Sequence, residues 1–263
     1  MLVRYVISIT HPYFLLLQGQ MVDKQYKVAY QRLMPTNIDF RNIPNYSVSE
    51  AAGYLTIPVD RLRSWRAKSL IQIQNAKTKK LSFINLVEAH VLKGIFLTKG
   101  IFMEQVSTAL ERLNEKFGKP HLLARSEFNL FIDNLGHFIL LSERKQEEMQ
   151  KILQIFLNRI DRDEEGLAVK LFPFTKEPDP DAPKTITIDP RISFGRPVLA
   201  GTGIPTDTLA QRYKAGESID ELAEDYNCSR LQIEEGIRYQ FPAAWTRQIN
   251  WSFSSTDLWE RNK

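Results

Sequence analysis

Residues 46–70, YSVSEAAGYLTIPVDRLRSWRAKSL, decide how the front half of the chain is read. Ser47 with Glu50 three residues on is a capping box: the hydroxyl serves an orphan helix amide and the carboxylate reaches back. The inward side of the helix it opens (Val48, Ala51, Ala52, Leu55) is mostly small, so a second helix can cross closely. Pro58 starts that second helix where a missing N–H costs nothing. Val59, Leu62 and Trp65 recur at helical spacing and face a core. Arg61, Ser64 and Lys68 face the other way, flanked by Arg63 and Arg66. This pattern predicts a helix-turn-helix whose second helix offers a cationic face suited to a DNA major groove.

Downstream, IQIQ alternates like a strand, NAKTKK is a basic turn and LSF returns. The expectation is a small hairpin wing carrying Lys77, Lys79 and Lys80. Asn85 with Glu88 is expected to cap the apolar helix NLVEAHVLKGIFL, and Val106, Ala109, Leu110, Leu113 and Phe117 stripe a further one. The order and wording resemble the MerR-type winged helix. The resemblance rests on Leu62-Arg63 with Trp65, on Leu70-Ile71, and on Lys99-Gly100-Ile101 followed by Glu104-Gln105-Val106. Two departures stand out: Ser64 replaces an aromatic, and Leu81-Ser82-Phe83 stands where an Arg-x-Tyr closes the wing.

Charge separates a working helix-turn-helix from a decorative one. Arg41 to Gly100 carries ten Lys and Arg against three Asp and Glu, a net of +7, whereas the whole chain is +4. The remainder is therefore at −3, and positive charge is concentrated in one module, as nucleic-acid binding requires. The bland reading of the same charge is a solvated basic face on a three-helix core.

A chain of 263 residues has room for two or three small domains, and one cysteine excludes a disulfide framework or a multi-thiolate metal site. A reducing cytoplasm is the natural home for such a chain. In MLVRYVISITHPYFLLLQGQM the apolar run is broken by Ser8, Thr10, His11 and Pro12, so it reads neither as a membrane span nor as a signal peptide. Residues 1–20 read as an extension, a strand or sequence upstream of an internal start at Met21.

After Gly118-Lys-Pro120, FNLFI and HFILL flank a turn signal, Asp133 to Gly136, and read as two strands. A helix striped by Met149, Ile152, Leu153, Phe156 and Ile160 should stop near Gly166, with Asp161 to Glu165 as its solvated end. LAVKLF gives one more strand, so residues 118–172 form an α+β unit able to join two protomers. The four prolines from Pro173 to Pro183 read as a stiff linker, 173–184.

In residues 185–241 Ile186 to Ile188 and Pro197 to Leu199 read as short strands, and Thr206 or Asp207 begins a helix. Ser218 with Glu221 and Ser229 with Gln232 are two more capping boxes, giving a second helix-turn-helix with Asn227-Cys228 in its turn. Six Lys and Arg stand here against nine Asp and Glu. Phosphate contacts rely on neutralising the backbone, so this module is expected to dimerise or hold a protein, with DNA contact by Arg230 or Arg238 the lesser reading. Gly195-Arg196-Pro197, Gly201-Thr202, Ala215-Gly216 and Glu221 to Tyr226 resemble the domain-of-unknown-function 433 family, Gly203 standing where that family has Arg. The two-module arrangement resembles VapB-type antitoxins of the long, DNA-binding kind. That resemblance implies a PIN-like ribonuclease toxin as partner.

Three of the four tryptophans, Trp245, Trp251 and Trp259, lie with Phe253 in the tail, 242–263. They either fold back on the body or dock into another protein, where Trp and Arg are usual anchors. With the resemblance, docking on the toxin is the expectation, Arg247 or Arg261 approaching its acidic metal centre. No catalytic constellation appears: His11, His90, His121 and His137 are scattered, and His90 reads as a satisfied core histidine.

The expected fold is therefore mainly α with small β elements. It comprises an extension (1–45), a winged helix-turn-helix (46–117), the middle unit, the linker, a C-terminal helix-turn-helix with a short β-hairpin, and the tail. The expected protein is no enzyme and needs no cofactor or membrane. It is a homodimer on double-stranded operator DNA that neutralises a toxin. The rivals are a MerR-like regulator with a small-molecule ligand in the middle unit, and an interaction scaffold that never meets DNA.

Overall fold

The structure, a computed structural model, describes residues 39–73, 79–132, 135–136, 139 and 141–241. The expectations for residues 1–38, for Lys77, for most of HFILL including His137, and for the tail with Trp245, Arg247, Trp251, Phe253, Trp259 and Arg261 lie outside the described residues. The chain divides after Phe40, and the fold below is that of the unit beginning at Arg41.

Ser47 caps the first helix, α1 (Val48–Leu55), with both halves of the capping box in place: Ser47 N–H donates to Glu50 Oε2 at 2.7 Å and Glu50 N–H to Ser47 Oγ at 3.1 Å. Thr56, left-handed at φ 52°, ends it. Pro58 is the N-cap of α2 (Val59–Ala67), and Leu62 and Trp65 on that helix are fully buried. The third helix, α3 (Phe83–Leu97), is capped by Ser82 and Asn85, not by Asn85 and Glu88. The expected cap fails because Glu88 has other partners inside the protein. Every residue of α3 from Phe83 to Phe96 is buried, as befits a helix apolar on all sides. Trp65 stacks on Phe96 at 5.3 Å, which fixes α2 against α3.

Helix α4 (Met103–Phe117) ends at the left-handed Gly118, and α5 (Glu143–Leu157) crosses α3 at Gly94. Two expectations for the middle unit are corrected here. FNLFI is not a strand: Ser126–Phe131 is a 3-10 helix, with Phe128 buried in the main core. The helix striped from Met149 ends at Leu157, and Ile160–Arg162 is already strand β1, antiparallel to β2 (Ala168–Leu171). The acidic run is its hairpin turn. Asp163 Oδ1 accepts from Leu167 N–H at 2.9 Å, and Gly166 supplies the left-handed residue at φ 78°. Apolar runs by themselves favour a strand and a carboxylate cluster a helix end; tertiary burial overrides the first and turn chemistry the second.

The proline-rich stretch is not a free spacer. The Arg159 guanidinium, buried and over the Phe174 ring at 4.7 Å, donates to the carbonyls of Phe172, Pro173, Ala182 and Pro183. Burial lowers its pKa to about 10, still far above neutrality, so the cation persists. Beyond it β3 (Ile186–Thr187) pairs antiparallel with β4 (Val198–Leu199), and α6 (Thr206–Lys214), α7 (Ile219–Tyr226) and α8 (Arg230–Tyr239) complete a second, smaller core around Leu209, Leu222 and Ile233. Both expected capping boxes, at Ser218 and Ser229, are formed. The described residues thus hold eight α-helices and two small antiparallel sheets. None of these helices is long and apolar enough to cross a membrane.

The α3–α5 crossing is tested at Gly94. A Cβ there would stand 2.9 Å from Phe156 Cγ, and that ring cannot give way because Phe174 and His90 pack on it at 5.1 and 4.8 Å. Alanine gains about 1 kcal/mol of helix propensity, but overpacking costs about 1–3 kcal/mol. Gly94→Ala should therefore lower stability by roughly 1 kcal/mol in urea unfolding; an unchanged or raised midpoint would show the crossing to be loose.

Candidate nucleic-acid interface

Helices α1 and α2 are joined by Thr56, Ile57 and Pro58, and the turn is held from beneath. Lys93, at 3% exposure on α3, donates from Nζ to the Leu55 carbonyl at 2.8 Å, serving one orphan acceptor at the end of α1. Burial lowers the pKa of this ammonium to about 8.

On α2 the outward cations do not behave alike. Arg63 is exposed, with its guanidinium 2.8 Å from Asp60. Lys68 is exposed and 3.9 Å from Glu104. Arg61 is half-buried, and burial lowers its pKa; Ser64 is half-buried too. Arg66 turns toward the following segment and donates to the Lys79 carbonyl at 3.3 Å. Lys79 and Lys80 are exposed. The structure therefore brings Arg66 and Lys79 together and leaves Arg61 partly turned to the body.

The expected wing hairpin is corrected in part. Among the described residues IQIQ forms no strand: Ile71 is buried, and Leu81 bridges Tyr46 instead. Asn45 and Tyr46 N–H both donate to the Leu81 carbonyl at 2.9 Å, and Leu81 N–H returns to Tyr46 O at 2.7 Å. Lys79 and Lys80 thus sit on a basic arm stitched to the residues before α1.

The base of this arm rests on a buried network that the sequence did not disclose. Glu88 Oε2 accepts from Gln72 N–H at 3.1 Å and Asn85 Nδ2 at 2.9 Å, while Glu88 Oε1 accepts from His121 Nδ1 at 2.9 Å. Asn85 Nδ2 also donates to Gln72 O, and Gln72 Oε1 accepts from His121 N–H. A cavity of about 20 Å³ beside Gln72, Glu88 and Asn114 has room for a water and not for an organic ligand. The partners lie up to 49 residues apart, so no local motif marks them. The only sequence signal was three ionisable residues, Glu88, His90 and Lys93, inside an otherwise apolar helix. His90 is the core histidine expected: its Nε2–H donates to Phe156 O at 3.0 Å, and burial drops its pKa to about 3.

In residues 185–241 all five arginines are engaged by carboxylates. Arg191 grips buried Asp189 through two nitrogens, Arg196 meets Asp207, and Arg238 pairs with the buried Glu235. Arg212 lies between Glu217 and Asp225, and Arg230 between Asp220 and Glu234.

Residues 186–239 match the family described as protein of unknown function (DUF433). Over most of its length the chain is similar to an antitoxin-like protein. The curated relative is named "Putative antitoxin VapB45", from Mycobacterium tuberculosis (strain ATCC 25618 / H37Rv). It is 22% identical over 230 residues, an alignment covering 74% of this chain and 93% of the relative. Among solved structures, the X-ray crystal structure of Rv2018 from Mycobacterium tuberculosis superposes with a TM-score of 0.60 at 22% identity. It covers 74% of this chain and 98% of that one. At that identity the likeness is one of fold.

The DUF433 segment packs on the front helices through hydroxyls. Tyr239 donates to the Tyr54 carbonyl at 2.7 Å and Tyr46 to the Gly195 carbonyl at 3.0 Å. Burial raises the pKa of both phenols, so both stay donors.

Lys93 gives this arrangement a pH signature. Its folded pKa lies below the unfolded value of 10.5, so between pH 8 and 10.5 the unfolded chain holds the extra proton and stability rises with pH. The full rise is roughly 3 kcal/mol. Denaturant midpoints from pH 7 to 10 should climb in the wild type relative to Lys93→Met; parallel profiles would place Lys93 in water.

Proposed function

We propose that the chain is the antitoxin of a type II toxin–antitoxin system, acting as a dimeric autorepressor on operator DNA and neutralising a PIN-like ribonuclease toxin. In this reading α1 and α2 are a helix-turn-helix with α2 as the recognition helix, and the arm at Lys79 and Lys80 is the wing. Residues 46–117 form the DNA-binding domain, 118–172 join two protomers, and 185–241 hold protein. The curated relative's name supports the antitoxin role, and the contrast in how cations are held supports the division of labour.

That contrast is the observation that carries the proposal. The Arg63–Asp60 pair is exposed at 63% and 91%, and Lys68–Glu104 at 60% and 74%. Such pairs are worth about 0–1 kcal/mol, so a phosphate displaces the carboxylate with little loss. In the rear segment the carboxylates on Arg191 and Arg238 are buried, and Arg212 and Arg230 each serve two acids. Stripping a buried carboxylate of its guanidinium leaves an uncompensated charge, which costs about 3–5 kcal/mol. Arg196, paired with Asp207 at exposures of 48% and 39%, is the exception at the rear, so duplex finds more willing cations at the front than at the rear. Two copies would place their recognition helices about 34 Å apart in successive major grooves.

Gel shifts on the chain's own promoter at several salt concentrations test the DNA reading. Arg63→Ala should cost about 1–3 kcal/mol if it reads a base, whereas Lys79→Ala should reduce the salt slope by about one contact. Absence of salt-dependent binding would leave the scaffold reading. Copurification with the protein of the neighbouring gene tests the toxin reading, and truncation after Phe241 should abolish inhibition while sparing operator binding. Full inhibition by the truncated chain would remove the tail from the interface.

A further inference from the structure

We propose that the DUF433 segment positions the basic arm, and that Tyr46 is the positioning residue that links them. The inference rests on the reading of Lys79 and Lys80 as phosphate contacts, but its geometry stands apart from that reading.

Tyr46 works in two directions. Its backbone, with that of Asn45, holds Leu81 by three hydrogen bonds, and Leu81 directly follows Lys80. Its side chain, 3% exposed, carries the hydroxyl into the rear segment to donate to Gly195 O at 3.0 Å. Asn45 repeats the pattern, donating from Nδ2 to Phe194 O at 2.5 Å. The two receiving carbonyls belong to a run of three consecutive left-handed residues, Ser193, Phe194 and Gly195, with φ of 47°, 57° and 74°. Two of these are not glycine, so the loop is fixed by its surroundings and offers its carbonyls from a stiff seat. Gly195 is required for the seat: a Cβ there would overlap the Tyr46 hydroxyl. On its other side the arm is held through Lys79 O by Arg66 of α2.

The basic arm is therefore clamped between the recognition helix and a residue whose side chain is anchored in the rear segment. A shift of the 193–195 loop moves Tyr46, and through the bridge it moves Leu81 and the two lysines before it. A third tie between the segments, Tyr239 to the Tyr54 carbonyl, ends on α1 rather than beside the arm, which provides a control.

Amide hydrogen exchange and salt-dependent duplex binding by the full chain test this, with Tyr46→Phe and Tyr239→Phe compared. Tyr46→Phe keeps the ring against Tyr54 and loses only the hydroxyl bond. Relative to the core amide of Leu153, it should speed exchange at Leu81 by about fivefold, the worth of one hydrogen bond. It should also flatten the salt slope toward that of a Lys79→Ala, Lys80→Ala chain. Tyr239→Phe should change neither. Leu81 exchange and slope equal to wild type in Tyr46→Phe would overturn the proposal, as would an equal response to Tyr239→Phe. If the wild type binds no duplex, the DNA reading fails, and exchange at Leu81 decides the positioning claim by itself.

Discussion

A helix with no face in water cannot leave an ionisable side chain unattended, and α3 carries three. Each is satisfied by a different element: Glu88 by the base of the arm and His121, His90 by the carbonyl end of α5, Lys93 by the carbonyl end of α1. An unpaired buried polar group costs about 1–3 kcal/mol, and more when charged, so these contacts restrict where the neighbours can sit. Apolar packing already resists sliding where Phe156 of α5 seats on Gly94 of α3. The polar contacts add to that resistance, because a shift of one residue leaves a donor or a carboxylate without its partner. Helix α2 and the arm are consequently two parts of one surface, fixed from below by α3 and laterally by the Arg66–Lys79 contact.

Electrostatics divides the rest of the chain. The front module has an excess of cations and pairs Arg63 and Lys68 loosely at the surface, whereas the rear one pairs every arginine, two of them with carboxylates out of water. Net charge by sequence gave the sign of this contrast but not its mechanism. What makes a cation available to a phosphate is the exposure of the acid that already holds it, and that is a property of the fold. The same fold gives the rear segment a second task, since Tyr46 and Tyr239 lock it onto the front helices.

Local chemistry was legible in the sequence and distant chemistry was not. The capping boxes at Ser47, Ser218 and Ser229, the core positions Leu62 and Trp65, and the rear β-hairpin followed from residues within a few positions of one another. Three of the errors share one cause. Glu88 did not cap a helix, FNLFI did not form a strand, and the described residues after Leu70 form no hairpin ladder. In each case a partner far along the chain (His121, the core around Phe128, Tyr46) outweighed a local preference worth a few tenths of a kcal/mol. Arg159 shows the limit plainly. Nothing in KILQIFLNRI announces that its arginine holds four carbonyls of the proline-rich stretch read as a stiff linker.

The most direct test of this division is a hydrogen-exchange footprint of the full chain with and without its own promoter duplex. The account predicts slowed exchange in α2 and at residues 79–81, with no change across α6, α7 and α8. Protection confined to residues 206–239, with α2 and the arm exchanging as in the free protein, would contradict it.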